Sequence, residues 1–245
     1  MANSTSSKRP SYGIDAPGVI RNLLVIGVVC LVLALAISFE LHLGPFVLGG
    51  SFFYWPGGIL TGEALLMLLY SLHGKFAHRD RMLAAHSWRG DEQVLDVGTG
   101  RGLMLIGAAQ RLTGGHATGI DIWNKEGLSG NSAAATQDNL EIEGVANLCT
   151  LVNEGAQRMS FPDATFDVIV SNLCLHNIYD KSTRQQACRE IARVLKAGGV
   201  AIISDYKLTG EYADTFRQSG LTMERKATEW LRTFPPLTTV VARKP

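Results

Sequence analysis

Apolar residues along this chain follow two regimes. Residues 23–39 are apolar apart from Ser38 and carry no charge, a run of about 17 residues that reaches roughly 26 Å as a helix. A second apolar stretch, 43–72, is broken by Gly49-Gly50 and Pro56-Gly57-Gly58 and carries the cluster Phe52-Phe53-Tyr54-Trp55. Proline at a helix start and aromatic residues at an interface predict a turn at a membrane surface and a second helix over 58–72, so 19–72 reads as an anchoring helical hairpin. From residue 91 onward, short apolar runs alternate with helical segments, the pattern of βα units. Strands are expected at 94–97, 116–122, 147–152, 167–171, 200–204, 221–226 and 237–243, and helices at 103–112, 132–143, 183–195 and 211–218, with Ser132 as an N-cap and Ala197-Gly198-Gly199 ending the third helix. This order predicts a doubly wound, mostly parallel, seven-stranded α/β sheet with right-handed crossovers.

The flanks refine the picture. Residues 1–18, rich in Ser, Pro and Gly with Lys8 and Arg9, are expected to form a disordered tail. Residues 73–88 read as a basic amphipathic helix with Phe76, Met82, Leu83 and Trp88 on its apolar side. Lys8, Arg9 and Arg21 precede the hairpin, Lys75, Arg79 and Arg81 follow it, and 40–55 holds no Lys or Arg, so the positive-inside bias puts both ends in the cytoplasm. Glu63 in the second segment is costly at mid-membrane and leaves open a segment lying in the interface or packing over the catalytic domain. A buried core helix and a cleaved signal peptide are the alternatives for the first run, the latter because basic residues precede it and Ala34-Leu35-Ala36 resembles a cleavage site.

A length of 245 residues accommodates one α/β domain with an addition. The formal net charge of +1 supplies no basic field to recruit nucleic acid. Cys30, Cys149, Cys174 and Cys188 show no CxxC or zinc spacing, so reduced thiols and no metal site are expected.

The candidate chemistry centres on residues 94–102. Gly98, Gly100 and Gly102 follow the strand and let a ligand approach the backbone at the start of a helix. Asp96 stands just before them, where a carboxylate suits a cationic ligand better than a pyrophosphate. Asp121 ends the next strand about 20 residues on, the distance at which an acidic side chain meets ribose hydroxyls. The expected cofactor therefore carries a ribose and a positive charge.

Val-Leu-Asp-Val-Gly-Thr-Gly-Arg-Gly at 94–102, Gly-Ile-Asp-Ile at 119–122, Phe-Pro-Asp-Ala-Thr-Phe-Asp-Val-Ile-Val at 161–170 and Arg-Val-Leu-Lys-Ala-Gly-Gly at 193–199 resemble, in order, the motifs of class I S-adenosylmethionine-dependent methyltransferases. The resemblance covers 91–204. It implies a Rossmann-like methyltransferase domain over 73–245 and S-adenosyl-L-methionine as cofactor, which a cell keeps inside and which argues against export. It places Asp96, Gly98, Thr99, Gly100 and Gly102 around the amino-acid end of the cofactor, Asp121 and Ile122 at the ribose, and Asn172 beside it. Gly155 and Ala156 fall at the adenine, with Gly155 aligned to an aspartate usual in the family, so backbone groups there, with Gln157, would have to serve.

By the same resemblance His176 points toward the methyl group, with Cys174 and Asp205 as further catalytic candidates; Cys174 packing as a small hydrophobe and His176 capping a helix stay open. Tyr70, His73 and Lys75 are placed at the cofactor entrance. Trp123 lies at the adenine or roofs the core, and 122–131 is a lid or a surface insertion. The expected acceptor is small or lipophilic, a thiol or a phenol or hydroxyl first and a lipid headgroup amine second, since no Asn-Pro-Pro-Tyr signature is present. Membrane lipids are expected partners and nucleic acid is not. The catalytic domain is expected on the cytoplasmic side of a membrane. A non-catalytic membrane scaffold that keeps the cofactor site is the competing class.

Overall fold

A computed structural model describes residues 9–37, 40–43, 46–124 and 126–245. The chain divides into two compact units, one of Ile14–Gly74 with Glu126–Ser129 and one of Met1–Gly13, Lys75–Lys125 and Gly130–Pro245.

The first unit is a helical hairpin of α1 (Pro17–Ala36) and α2 (Tyr54–Leu69). Helix α1 begins about one and a half turns before the predicted run, because Pro17 supplies a pre-set first helical position. The connection contains an antiparallel pair that the apolar pattern did not announce, β1 (Leu41–Leu43) and β2 (Phe46–Leu48), with Leu41 opposite Leu48. The two helices meet through small residues. A Cβ on Gly27 would lie 2.5 Å from Thr61 Oγ1, and one on Gly57 would lie 2.8 Å from the Leu31 side chain. Away from this seam Val25, Val29, Val32 and Leu35 of α1 and Ile59, Leu65, Leu66 and Leu69 of α2 are exposed. The most apolar 18-residue windows of Pro17–Ala36 and of the continuous helical stretch Gly50–Leu83 have mean hydropathies of 2.6 and 1.3, and both helices are long and apolar enough to cross a membrane by length and composition.

The second unit is the sheet. Its strands are β3 (Gln93–Val97), β4 (His116–Asp121), β5 (Cys149–Asn153), β6 (Phe166–Asn172), β7 (Leu195–Asp205), β8 (Thr222–Glu229) and β9 (Leu237–Arg243), in the order β5-β4-β3-β6-β7-β9-β8. β5 to β7 are mutually parallel with β3 and β4, while β9 runs antiparallel between β7 and β8. Side chains alternate between two cores, as the two-residue period requires. Leu95, Ile169, Ala201 and Ile203 face one core with Tyr212 and Phe216; Val94, Val168, Val170, Val200 and Ile202 face the other with Leu105 and Met82. The covering helices are α4 (Leu103–Ala109), α5 (Ala133–Ile142), α6 (Lys181–Val194) and α7 (Thr209–Gln218). Ser132 caps α5 by accepting from Ala135 N, and Asp180 caps α6 by accepting from Thr183 N.

Four expectations are corrected. The third helix ends at Val194, and Ala197-Gly198-Gly199 lie within β7, where Gly198 N donates to Lys244 O and Lys244 N to Gly199 O, so strand pairing captures them. The basic helix is α3 (Lys75–Leu83), preceded by a π-helical turn (Tyr70–Gly74); the chain leaves it after Leu83, whose carbonyl accepts from Trp88 Nε1 at 2.8 Å. Lys75 does not line an entrance: it is buried and donates to the carbonyls of Tyr12 and Gly13. Residues 9–18 are not a loose tail. Tyr12 is buried with its hydroxyl donating to Glu143, Ser11 N donates to Asn139 Oδ1, and Asp15 N donates to Ser71 Oγ. A segment too polar to fold alone is ordered here by surfaces it borrows. Residues 1–8 lie outside the described residues.

Candidate functional site

The turn after β3 is shaped by its glycines and by Asp121. Gly98, Gly100 and Gly102 take φ of 75°, 54° and 87°, the left-handed region that side chains disfavour. A Cβ on Gly98 would sit 2.1 Å from Cys174 Sγ, so that position admits no side chain for a second reason. Asp121, at the C-terminal end of β4, accepts from Gly100 N at 2.7 Å and from Trp123 N at 2.5 Å. Trp123 holds a positive φ of 47° and shares its indole N–H between Gly100 O and Thr136 Oγ1, so it roofs the glycine turn. Ile122 beside it is exposed.

Asp96 is placed beneath this turn rather than on its open side. It is fully buried and accepts from Leu105 N at 2.9 Å, tying the strand to the first turn of α4. Burial pushes its carboxyl up to about 7, against the amide and Thr99, which favour the ion. Thr99 is likewise buried. Burial also raises Asp121 from the ordinary carboxylate range, opposed by the Gly100 and Trp123 amides.

On the neighbouring strands the fold joins residues far apart in sequence. His176, in the short 3-10 turn Leu175–Asn177 after β6, places its Nδ1 2.7 Å from Asp205 Oδ1 at the end of β7. Its backbone N donates to the other oxygen of Asp205 at 3.1 Å, and Tyr212 OH donates to that same oxygen at 3.2 Å. Asp205 is fully buried, so the carboxylate beside the imidazole is shielded from water. Tyr206 packs edge-on to the His176 ring at 4.8 Å between centroids. Cys174 rests on Gly98, and burial, with Asp121, Asp205 and Asp96 nearby, pushes its thiol well above the ordinary range. A thiol held neutral is a poor nucleophile, so this geometry suits packing.

Asn172 ends β6 opposite Ser204 of β7, with its Oδ1 buried. His78 of α3 lies over these strand ends, buried, with Nε2 2.8 Å from Ser204 Oγ. Burial and Arg81 lower its imidazole to about 4, so it is neutral near pH 7. Sequence reading passed over His78; its spacing four residues before Met82, on the apolar stripe, was the available signal. Gly155 and Ala156 follow β5, and the Gln157 amide folds over Gly155, where a Cβ would meet its Oε1 at 2.6 Å. Residues 127–129 are no free lid: Leu128 bridges Asp15, Ser129 N donates to Ile14 O, and Ala16 N donates to Gly127 O. No group of three or more His, Cys, Asp or Glu among the described residues is placed to hold a metal ion.

These residues lie in a segment with known relatives. Residues 95–203 match the methyltransferase domain family. A sterol 4-C-methyltransferase of Caenorhabditis elegans is 30% identical over 164 residues, 67% of this chain and 44% of that protein. A ubiquinone/menaquinone biosynthesis C-methyltransferase of Vibrio campbellii is 34% identical over 120 residues, 48% of this chain and 42% of that protein. The match thus takes in less than half the length of either relative. Among solved structures, the cyclase SpnF shares the fold with a TM-score of 0.60 at 18% identity, covering 69% of this chain and 81% of that one.

Proposed function

Residues 95–203 form a methyltransferase domain of the class I S-adenosylmethionine-dependent family, and from that premise we propose that this chain methylates a lipophilic acceptor bearing a phenol, quinol or hydroxyl. The observation that carries the proposal is the His176–Asp205 pair, 2.7 Å apart at the strand ends that also bear the glycine turn, Asp121 and Asn172.

The residues present fit the cofactor. The glycine turn admits close approach, Asp121 is partly open at a strand end, and Asn172 ends the neighbouring strand β6. Bound there, S-adenosylmethionine supplies an electrophilic methyl group on a sulfonium. Gly98, Thr99, Gly100 and Gly102 line its amino-acid end, where the side-chain-free glycine turn lets the ligand approach closely, and Asp121 accepts from the ribose hydroxyls with lone pairs not taken by the Gly100 and Trp123 amides. Asp96 supports the turn from below. Gly155 and Ala156 border the adenine through main-chain groups.

His176 acts as the base. Asp205 holds one side of the imidazole, leaving Nε2 to take the acceptor's proton, which a phenol with a pKa near 10 requires and a thiol near 8.5 needs far less. That ranks a phenol or quinol above a thiol, and the two relatives, one a sterol methyltransferase and one a methyltransferase of quinone biosynthesis, support a lipophilic ring. Tyr206 walls the acceptor side of His176. We place the unit Ile14–Gly74 in a membrane as the anchor, with the sheet unit on the cytoplasmic side, because Arg9, Arg21, Lys75, Arg79 and Arg81 flank the apolar helices.

The test is turnover by the full chain in lipid nanodiscs with methyl-labelled cofactor and a membrane lipid extract. S-adenosylhomocysteine should accumulate and label should partition with the lipids. Label confined to protein, or cofactor recovered unchanged, overturns the reading.

A further inference from the structure

Within the sheet unit, the large apolar side chains that stand exposed among the described residues are Ile122 (65%), Tyr179 (83%), Tyr206 (42%), Trp230 (72%) and Leu231 (98%). All five lie at one edge. Ile122 directly follows β4, Tyr179 lies between β6 and α6, and Tyr206 directly follows β7. Trp230 and Leu231 open the connection from β8 to β9. Register puts them at the same edge, because Thr228 pairs with Thr238 and Thr238 pairs with Asp205. A core that buries its apolar residues everywhere else and leaves five uncovered where the candidate site opens marks an interaction surface.

The cations beside the Tyr206 and Trp230–Leu231 side chains stand without ion-pair partners among the described residues. Lys207 sits 5.1 Å over the Tyr206 ring, and Lys226 and Arg232 are exposed next to the Trp230–Leu231 tip. Two acids lie nearby: Glu229 is 3.8 Å from Arg81, and Asp180, which caps α6, stays ionised at the Tyr179 end, away from the Trp230–Leu231 tip. Tyr206 packs on His176, so a protein partner seated on this patch would close the candidate site. A fluid lipid surface covers the patch and still delivers substrate through it.

We propose that this edge docks on the headgroup layer of an anionic bilayer, with Trp230 and Leu231 as the inserted tip and Lys207, Lys226 and Arg232 on the lipid phosphates. An aromatic ring and an aliphatic side chain enter the interface while cations stay at headgroup level. The lipophilic acceptor then reaches His176 from the lipid without crossing water. That last clause rests on the function proposed above; the docking itself does not.

The test places an environment-sensitive fluorophore on Leu231→Cys and, at the opposite edge, on Gly114→Cys, where an added side chain meets open space. Both are full chains in nanodiscs of phosphatidylcholine with and without phosphatidylglycerol. Nitroxide-bearing lipids should quench the label at 231 several-fold more than at 114, more strongly in the anionic discs. Equal quenching at both positions, or none at 231, overturns the proposal. So does a label at 231 that becomes shielded in detergent as protein concentration rises, which would make the partner a second copy. The double variant Trp230→Ser/Leu231→Ser should raise the apparent KM for a bilayer-borne acceptor about tenfold, leaving turnover of a detergent-dispersed acceptor unchanged. Quenching at 231 without methyl transfer keeps the docking and sinks the acceptor reading; methyl transfer without quenching does the reverse.

Discussion

The two units of this chain solve opposite packing problems. In the sheet unit Val, Ile and Leu alternate into two cores and polar groups face out; in the hairpin the apolar residues face out and the contact between helices runs through Gly27, Gly57 and Thr61. In water, helices associate by hiding large apolar side chains. In lipid that drive is absent, and close backbone approach through small residues takes its place. The contrast teaches that exposure is informative only relative to a solvent: a Val that is a liability beside the sheet is at home on a hairpin set in lipid, the placement proposed above for this one.

The largest effect that separates the units is chemical. His176→Gln should lower kcat by about 10²–10⁴ while cofactor affinity, measured by calorimetry, stays at the wild-type value. Next comes the glycine turn. Gly98→Ala must keep a φ of 75° and put a methyl 2.1 Å from Cys174 Sγ, so cofactor binding should weaken by more than about 100-fold. Adding Cys174→Gly should restore part of that loss by removing the clash but not the backbone strain; no recovery would mean that strain alone governs the site.

A charge on the hairpin tests the other side of the comparison. Val32→Lys lies on the exposed stripe of α1 and should cost about 2.5–3.5 kcal/mol if that stripe faces hydrocarbon, read as loss from the carbonate-resistant membrane fraction. A stripe facing water would tolerate the change within about 0.5 kcal/mol, and retention would be unaltered.

The smallest effect is a pH dependence of the sheet unit. His78, held neutral with a folded value of about 4 against 6.5, binds fewer protons folded than unfolded, so its contribution to stability rises with pH between those values. Asp96, raised to about 7 from 3.8, binds more protons folded, so its contribution falls as pH rises between those values. The two slopes oppose each other over pH 4–6.5. Asp96→Asn should expose a rise and His78→Gln a fall, each of order 1–3 kcal/mol in the midpoint followed by near-UV circular dichroism. Parallel profiles for the two variants would remove both assignments.

What was legible in the sequence is what local physics decides. Seven strands, the cap at Ser132 and the turn at 98–102 follow from two-residue periodicity, a side chain that reaches a free amide, and glycines at positive φ, each settled within a few residues. His176 and Asp205 were nameable as candidates, but 29 residues separate them, and only the parallel pairing of β6 with β7 brings them to 2.7 Å. Asp96 read as a ligand for positive charge, and burial made it a support under the turn, because the strand's alternation turns its carboxylate toward α4. Lys75 was expected at the cofactor entrance and His78 carried no expectation, and both are buried, one on the carbonyls of Tyr12 and Gly13 and the other on Ser204. The partners that capture them are 62 to 126 residues away, and no spacing rule spans that distance. Local sequence determined which elements form and which residues stand at strand ends; the order of the strands decided which of those ends meet, and so which carboxylate holds which imidazole.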